Sequence, residues 1–198
     1  MAKEIKRETL HSTKWVKLTQ ITYQDSNKVE RKWDLIERAT RVGDVDAVEV
    51  LAQIVEPNKP TEIILVSQYR PPLGCVCLEF PAGLVDEGES AETAALRELK
   101  EETGYIGKVK HSSILSAYEP GLTSATFKFV HVTVDKTLEE NKHPVQELED
   151  TEDIIVHVVP LAKLYPYITD LCAKNKWMMD GKLYTFAYSL QAAQEMLK

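Results

Sequence analysis

The stretch from Gly83 to Tyr105 constrains this chain most, because it predicts a helix with many carboxylates on one side. Its sequence is GLVDEGESAETAALRELKEETGY. Ser90 is a residue type that caps helix N-termini, good helix formers follow it, and Gly104 can take the left-handed conformation that ends a helix. The sequence therefore predicts a helix over residues 91–103, and its acidic residues need a physical reason.

Three carboxylates of this helix share one face. Glu98 and Glu102 are four residues apart, and Glu101 is three from Glu98. Arg97 and Glu101 form an i, i+4 pair, but such a pair is worth only about 0.2 to 0.5 kcal/mol on an exposed helix. A surplus of negative charge remains. Divalent cations such as Mg²⁺ bind carboxylate and phosphate oxygens, so the face is a candidate metal site. A solvated acidic face is the alternative.

The spacing of particular residues favours the metal site. Gly83 is followed by Glu89 after five residues, by Arg97-Glu98-Leu99 after seven more, and then by Glu101-Glu102 and Gly104. This is the pattern G-x5-E-x7-R-E-U-x-E-E-x-G-U, where U is aliphatic, and on it the chain resembles the Nudix hydrolase family. Tyr105 departs from the aliphatic residue usual at the last position. We call residues 83–105 the Nudix box.

The resemblance implies an α/β (α+β) fold in which a mixed β-sheet is sandwiched between α-helices. The chain agrees with this order: apolar extended runs predict strands at residues 47–55, 63–69, 75–80, 109–118, 126–135 and 154–161. Helices are predicted at 161–174 and 183–197, the last with an apolar stripe of Phe186, Leu190, Ala193 and Leu197. The acidic segment 136–153 has no apolar period and predicts an exposed loop.

Before the Nudix box, the sequence predicts two strands at residues 15–24 and 29–40 with a turn at 25–28. The two strands would form a small β-hairpin lobe. We therefore divide the chain into an N-terminal β lobe, residues 1–45, for dimerisation and base stacking, and a Nudix hydrolase domain, residues 46–198.

Nudix hydrolases cleave a nucleoside diphosphate linked to another group, X, and the resemblance implies roles for the box residues. Arg97 would orient the carboxylates through salt bridges, and Glu89 would hold an outer position. Mg²⁺, with Mn²⁺ as the alternative, is the implied cofactor. The implied metal ligands are three carboxylates and one backbone carbonyl: Ala82, Glu98, Glu101 and Glu102.

Segments outside the box resemble the ADP-ribose pyrophosphatase branch of the family. They read QYRPPLG, LEFPAGLVDEGE and AYEPGLTSATF, and Pro120 lies fifteen residues after Tyr105, where this branch carries a proline. A simple Pro-Gly turn is the alternative role of Pro120. The implied reaction is Mg²⁺-dependent hydrolysis of ADP-ribose to AMP and ribose 5-phosphate. Other nucleotide sugars, dinucleotides or oxidised nucleoside diphosphates are alternative substrates, and a non-hydrolytic nucleotide-binding module is the remaining alternative.

The same resemblance implies substrate contacts. Two tryptophans from different subunits of a homodimer would stack on adenine, a contact worth about 1 to 3 kcal/mol per base in single-strand nucleic-acid sites; core packing is the alternative for both. Two arginines would pair with phosphate or ribose; plain surface charge is the alternative for each. One acid would touch the terminal ribose. The full set of candidate substrate residues is Trp15, Trp33, Arg38, Arg70, Leu84 and Glu119.

The general base of this branch lies outside the box, on a mobile loop. Four acids of the segment QELEDTED compete for the role: Glu149, Asp150, Glu152 and Asp153. The resemblance of EDIIVHVV to the loop and strand edge that carry the base favours Glu152. A solvated acidic loop without a catalytic role is the alternative.

Charge and composition exclude several partners. A formal charge of -7 opposes sequence-independent binding of nucleic acid, whose phosphates need clustered Lys and Arg. The chain has no apolar run approaching the roughly 18 residues of a membrane span and no signal-peptide pattern at its start. Its three cysteines cannot all pair. We expect a cytoplasmic or nuclear protein that acts on a small nucleoside diphosphate sugar, without membrane or nucleic-acid partners.

Overall fold

The computed structural model describes residues 1–197, and its N-terminal part is a three-stranded antiparallel sheet. The strands are β1 (Lys3–Ser12), β2 (Val16–Gln24) and β3 (Glu30–Arg38), in the order β1-β2-β3. The predicted hairpin is β2 and β3, joined by a turn in which the Asp25 carboxylate accepts the Asn27 and Val29 amides. The sequence did not predict β1, because every residue in it is exposed and it carries no apolar alternation.

The second sheet is mixed and has nine strands. Its path is β12-β6-β5-β4-β10-β8, with β11 paired to β5, β7 to β4 and β9 to β10. The strands are β4 (Ala47–Val55), β5 (Glu62–Arg70), β6 (Cys75–Glu79), β7 (Ala82–Leu84), β8 (Lys108–Ser112), β9 (Ser116–Ala117), β10 (Thr126–Asp135), β11 (Ile154–Pro160) and β12 (Met178–Met179). The central pair, β4 and β10, is parallel, and the other neighbours of β4 are antiparallel to it.

Helices cover both faces of this sheet. They are α1 (Ala91–Thr103), α2 (Glu139–Lys142), α3 (Leu164–Asn175) and α4 (Gly181–Met196). On one face, fully buried Ala95 and Leu99 of α1 pack in a cluster with residues of β4 and β10. On the other face, Ile168 of α3 and Leu183 of α4 pack with Leu65 and Phe80. The predicted fold, a mixed sheet between helices, is confirmed. None of the helices in residues 1–197 is long and apolar enough to cross a membrane.

Three local predictions were right only in part: the strand 109–118, the exposed loop 136–153 and the extent of the apolar stripe in the last helix. The predicted strand 109–118 divides into β8 and β9. The Ser113 hydroxyl accepts a hydrogen bond from the Phe129 amide at 2.9 Å, which interrupts the backbone pairing with β10. The segment 136–153 contains α2, and Asn141 in it is fully buried because its amide group bonds to the backbone of Ile106.

The third correction concerns α4. Its fully buried residues are Leu183 and Ala187, whereas Ala193 is exposed and Leu197, just past the helix end, is 88% exposed. The helix therefore contacts the core through its first half, and the predicted stripe extends too far toward the C-terminus.

Candidate active site

The Nudix box forms strand β7, a loop and helix α1. Ser90 caps the helix, its hydroxyl accepting the Thr93 amide at 3.1 Å, and Gly104 ends it with a φ of 75°. Gly83 is needed for a different reason: a Cβ there would lie 1.9 Å from the Glu98 carboxyl group. Any other residue at this first position of the pattern would therefore displace the Glu98 carboxylate from the backbone of β7.

Arg97 holds three of the box carboxylates together. Its guanidinium donates to Glu89 (2.9 and 3.1 Å), Glu98 (2.7 Å) and Glu101 (3.0 Å), and also to the carbonyl of Leu84 (2.9 Å). The carboxylate bonds raise the pKa of Arg97, and the bond to Glu89 contributes most. The same bond lowers the pKa of Glu89. The arginine therefore fixes the start of the box loop to the acidic face of α1.

Two of the carboxylates are buried. Glu102 is 2% exposed, and one of its oxygens accepts the Ala82 amide at 3.0 Å. Burial raises the pKa of Glu102 to about 9, and it also raises the pKa of Glu98. The nearby negative charge of Glu152 adds to both increases. These carboxylates are thus short of neutralising charge in the protein alone.

The donor chemistry of this face fits a hard divalent cation, since all the groups are oxygens and two are buried without full charge compensation. Their arrangement is not closed around one point. Within residues 1–197, no three His, Cys, Asp or Glu side chains are placed to hold a metal ion together. Glu98 and Glu101 instead bond to Arg97, and Glu102 to Ala82. The set Ala82, Glu98, Glu101 and Glu102 stays a prediction for the metal ligands.

A cavity of about 640 Å³ lies beside the box, between the two sheets. Three of the predicted substrate residues, Arg38, Arg70 and Leu84, line it together with Ala82 and Gly83. The Arg70 guanidinium is held by Glu79 through two bonds of 2.7 Å. The structure thus places two arginines from separate sheets around one volume next to the box.

The other candidates lie outside the lining of that cavity. Trp15 is 60% exposed and Trp33 49% exposed, so neither packs in the core. The Trp33 indole donates to the carbonyl of Gly121 (3.2 Å) and ties the lobe to the loop that follows Glu119. Glu119 lines a second cavity. Glu152 accepts the Glu149 amide at 2.9 Å, on the loop before β11.

The residues of the cavity wall that the sequence did not identify include Glu49, Tyr118 and Lys182. Glu49 is 5% exposed; its Oε1 accepts the Tyr118 hydroxyl at 2.9 Å and lies 3.3 Å from the Lys182 ammonium. Burial raises the pKa of Glu49 to about 7. A signal was present in the sequence, since Glu49 is the single charged residue in the strand AVEVLAQIV, which is otherwise apolar apart from Gln53.

A comparison with protein-family models agrees with this fold and site. The NUDIX domain matches residues 46–178, which contain the box, the central sheet and the cavity residues of β4 to β7. The chain belongs to the Nudix hydrolase family.

Individual relatives extend the similarity across the lobe. The chain is 42% identical to the ADP-ribose pyrophosphatase of Saccharomyces cerevisiae over 92% of its length and 79% of that protein. It is 38% identical to the ADP-sugar pyrophosphatase of Mus musculus, over 94% and 86% of the two chains. A crystal structure of an ADP compounds hydrolase superimposes with a TM-score of 0.65 at 21% identity, covering 97% and 95%, and shows the same fold.

The burial of Glu102 predicts a stability that depends on pH. Its pKa rises from 4.5 to about 9 on folding, so the folded state binds this proton more tightly than the unfolded state. The contribution is fully present below pH 4.5 and is lost as pH rises through about 9. Without divalent metal, we expect the melting temperature to fall between pH 5 and pH 9, and Glu102→Gln to flatten this decline. Glu62→Gln, at the end of a strand, is the control. If the melting temperature of Glu102→Gln falls with pH as steeply as that of the wild-type protein, Glu102 is not the cause of the decline.

Proposed function

We propose that the chain hydrolyses the diphosphate bond of ADP-ribose, giving AMP and ribose 5-phosphate, with Mg²⁺ as cofactor. The observation that carries this is the position of the box: the buried, under-neutralised carboxylates Glu98 and Glu102 contact Gly83 and Ala82, which line a cavity together with Arg38 and Arg70. The yeast and mouse relatives, named for ADP-ribose and ADP-sugars, support the substrate class.

The side chains have separable roles in this reaction. Nudix hydrolases of this kind generally use a divalent metal; when bound, such an ion neutralises diphosphate oxygens and lowers the pKa of a coordinated water. Glu98 and Glu102 would hold it, with Glu101 and the Ala82 carbonyl completing the set. Arg97 keeps the carboxylates in place, and Arg70, fixed by Glu79, presents its remaining N–H groups to phosphate oxygens.

Glu152 is the proposed general base. As the water oxygen bonds to phosphorus and the bridging P–O bond breaks, the water proton passes to the Glu152 carboxylate, and the bridging oxygen leaves on the second phosphate. The charge of Glu152 contributes to the raised pKa of both Glu98 and Glu102, which supports a position of Glu152 close to the box.

Replacing this base is expected to lower turnover with little effect on folding. Glu152→Gln should reduce kcat for ADP-ribose by about 10²-fold or more, because positioned proton transfer contributes about 10² to 10⁴. Asp150→Asn, two residues away on the same loop, is the matched control and should stay within about twofold. Steady-state kinetics at saturating Mg²⁺ decides. Intact turnover in Glu152→Gln with loss in Asp150→Asn would transfer the role to Asp150.

The adenine site is proposed to form between two subunits. The Ala39 amide bonds to the carbonyl of Trp15, so Trp15 lies opposite a residue six positions beyond Trp33. At about 3.3 Å per residue, the two tryptophans are about 20 Å apart along β3. One adenine cannot contact both within a single chain. Both rings are exposed, as are the lobe residues Ile5 and Leu10, which supports a C2 dimer formed through the lobe.

Activity should then depend on protein concentration. Dilution below the dimer dissociation constant should raise KM for ADP-ribose, because each site would lose one stacking ring, and Trp33→Ala should raise KM even in the dimer. Light scattering run at the assay concentrations checks the state of the protein. A monomer with full activity would contradict the shared site.

The reaction itself is tested by product identification. Incubation with ADP-ribose and Mg²⁺ is expected to yield AMP and ribose 5-phosphate in equal amounts, and chelation of the metal should stop it. A panel of ADP-glucose, a dinucleoside diphosphate and an oxidised nucleoside diphosphate separates the alternative substrates. Binding of ADP-ribose without formation of AMP would favour the non-hydrolytic module instead.

A further inference from the structure

Glu49 is a buried carboxylate with one oxygen available to the cavity. It is 5% exposed and lines the cavity beside the box. Tyr118 donates to its Oε1 and Lys182 lies close to the same atom, whereas no donor within residues 1–197 hydrogen-bonds to Oε2. Oε2 is not one of the buried side-chain oxygens that lack a partner, so part of its surface is open to solvent. Oε2 is therefore an acceptor for a molecule that fills the cavity.

The position of Glu49 relates it to the box. Strands β4 and β7 pair antiparallel with Glu49 directly opposite Ala82, and side chains of such pairs share a face with Cβ atoms about 4.5 to 5.5 Å apart. The Ala82 amide donates to Glu102. Glu49 and Ala82 both line the cavity, so Glu49 faces the same volume as the backbone that bonds to a box carboxylate.

The partners of Glu49 are fixed in place. Lys182 lies 2.7 Å from the Asp180 carboxylate, which caps α4, and its ammonium is 4.9 Å from the centre of the Tyr118 ring. Tyr118 and Lys182 also line the second cavity together with Glu119. An acceptor and a donor are therefore held side by side at the junction of two cavities.

We propose that Glu49 and Lys182 bind hydroxyl groups of X, the sugar on the far side of the diphosphate, and make the enzyme selective for sugar diphosphates. The inference rests on the proposed function. One hydroxyl donates to Glu49 Oε2 and a neighbouring sugar oxygen accepts from Lys182. The adenine is assigned to the tryptophans, neither of which lines this cavity among residues 1–197, so the cavity is left for the rest of the substrate.

A site built to hydrogen-bond a hydroxyl group rejects an analogue that lacks it, because the polar groups of the site are then unpaired. The ADP ester of tetrahydrofurfuryl alcohol has the ribose ring skeleton without its hydroxyls. The wild-type protein should prefer ADP-ribose to this ester by about 10- to 100-fold in kcat/KM, since bonds to charged groups are the stronger ones. Equal kcat/KM for the two substrates would overturn the proposal without any variant.

The variant test uses Glu49→Gln on the same two substrates. We expect kcat/KM for ADP-ribose to fall by about 10-fold or more, mainly through KM, while the rate with the hydroxyl-free ester is unchanged. Tyr118→Phe removes only the donor to Oε1 and should keep the preference. An equal loss of kcat/KM on both substrates would show that Glu49 stabilises the fold and does not contact the sugar. Melting curves identify a variant that is unfolded. In that case the wild-type kcat/KM values for ADP-ribose and the hydroxyl-free ester decide.

Two more ligands complete the test. IDP-ribose shows whether Glu49 contacts the sugar or the base, and ribose 5-phosphate tests sugar binding separately from hydrolysis. IDP-ribose lacks the adenine amino group; if Glu49→Gln abolishes a preference for ADP-ribose over IDP-ribose, Glu49 contacts the base and the proposal is wrong. If the wild-type protein cleaves neither diphosphate, the proposed function fails by itself. Calorimetric binding of ribose 5-phosphate then tests the subsite: weaker binding by Glu49→Gln supports it, and equal binding overturns it.

Discussion

Glu98→Gln is expected to lower kcat for ADP-ribose by at least about 10²-fold while leaving the fold intact. The carboxylate packs against Gly83, bonds to Arg97 at 2.7 Å and has a pKa raised by burial. A neutral amide of the same shape removes a charge that the folded state holds at a cost, so the melting temperature should be unchanged or higher. Steady-state kinetics with Mg²⁺ and thermal unfolding without it measure the two effects.

The control for this variant lies on the same helix. Glu92 is in the first turn of α1 and faces Lys128, away from the other box carboxylates, so Glu92→Gln removes one charge from the helix without touching the proposed metal face. Its turnover should stay within about twofold of wild type. Unchanged turnover in Glu98→Gln would remove the proposed mechanism, and a similar loss in both variants would show only a general effect of helix charge.

Arg97→Met is expected to damage both stability and activity. It leaves Glu89, Glu98 and Glu101 without their shared cation, and truncating one partner of a buried ion pair costs about 3 to 5 kcal/mol. Because the Arg97 side chain is 29% exposed, we expect a smaller loss, about 2 kcal/mol in the free energy of unfolding at pH 7. Turnover should fall by about 10²-fold, because the carboxylates lose their orientation.

The pH dependence separates this ion-pair effect from lost packing. The pKa of Glu89 is lowered from 4.5, mainly by its bond to Arg97, so its stabilisation is present above pH 4.5 and is lost as pH falls through the lowered value. The stability difference between wild type and Arg97→Met should shrink as pH falls below 4.5. Arg97→Lys keeps the charge without the planar fork and should be intermediate. A difference that is constant with pH would show that packing dominates.

The box, the order of elements and the helix α1 were predictable because each depends on local chemistry: the N-cap Ser90, the terminal Gly104 and the fixed spacing of the carboxylates. Strand β1 was not, since an exposed strand is held by its neighbour's backbone and leaves no apolar period in its own sequence.

The same distinction applies to the candidate site. Arg97 was predicted to organise the acids, and the structure shows its bonds to three of them. Glu49 and Lys182 were missed because residues so far apart in the chain meet only when α4 packs across the sheet beside β4. Their pairing is a property of the fold, and only the lone charge within an apolar strand pointed to it.

The central claim is that the acidic face of α1 holds divalent ions against a diphosphate. Its most direct test is to measure Mn²⁺ binding by electron paramagnetic resonance. The measurement is made with and without an ADP-ribose analogue in which methylene replaces the oxygen that bridges the two phosphates. We expect the wild-type protein to bind Mn²⁺ far more tightly with the analogue than without it, and Glu98→Gln to lose this difference. A wild-type protein that takes up no Mn²⁺ with the analogue bound would contradict the account.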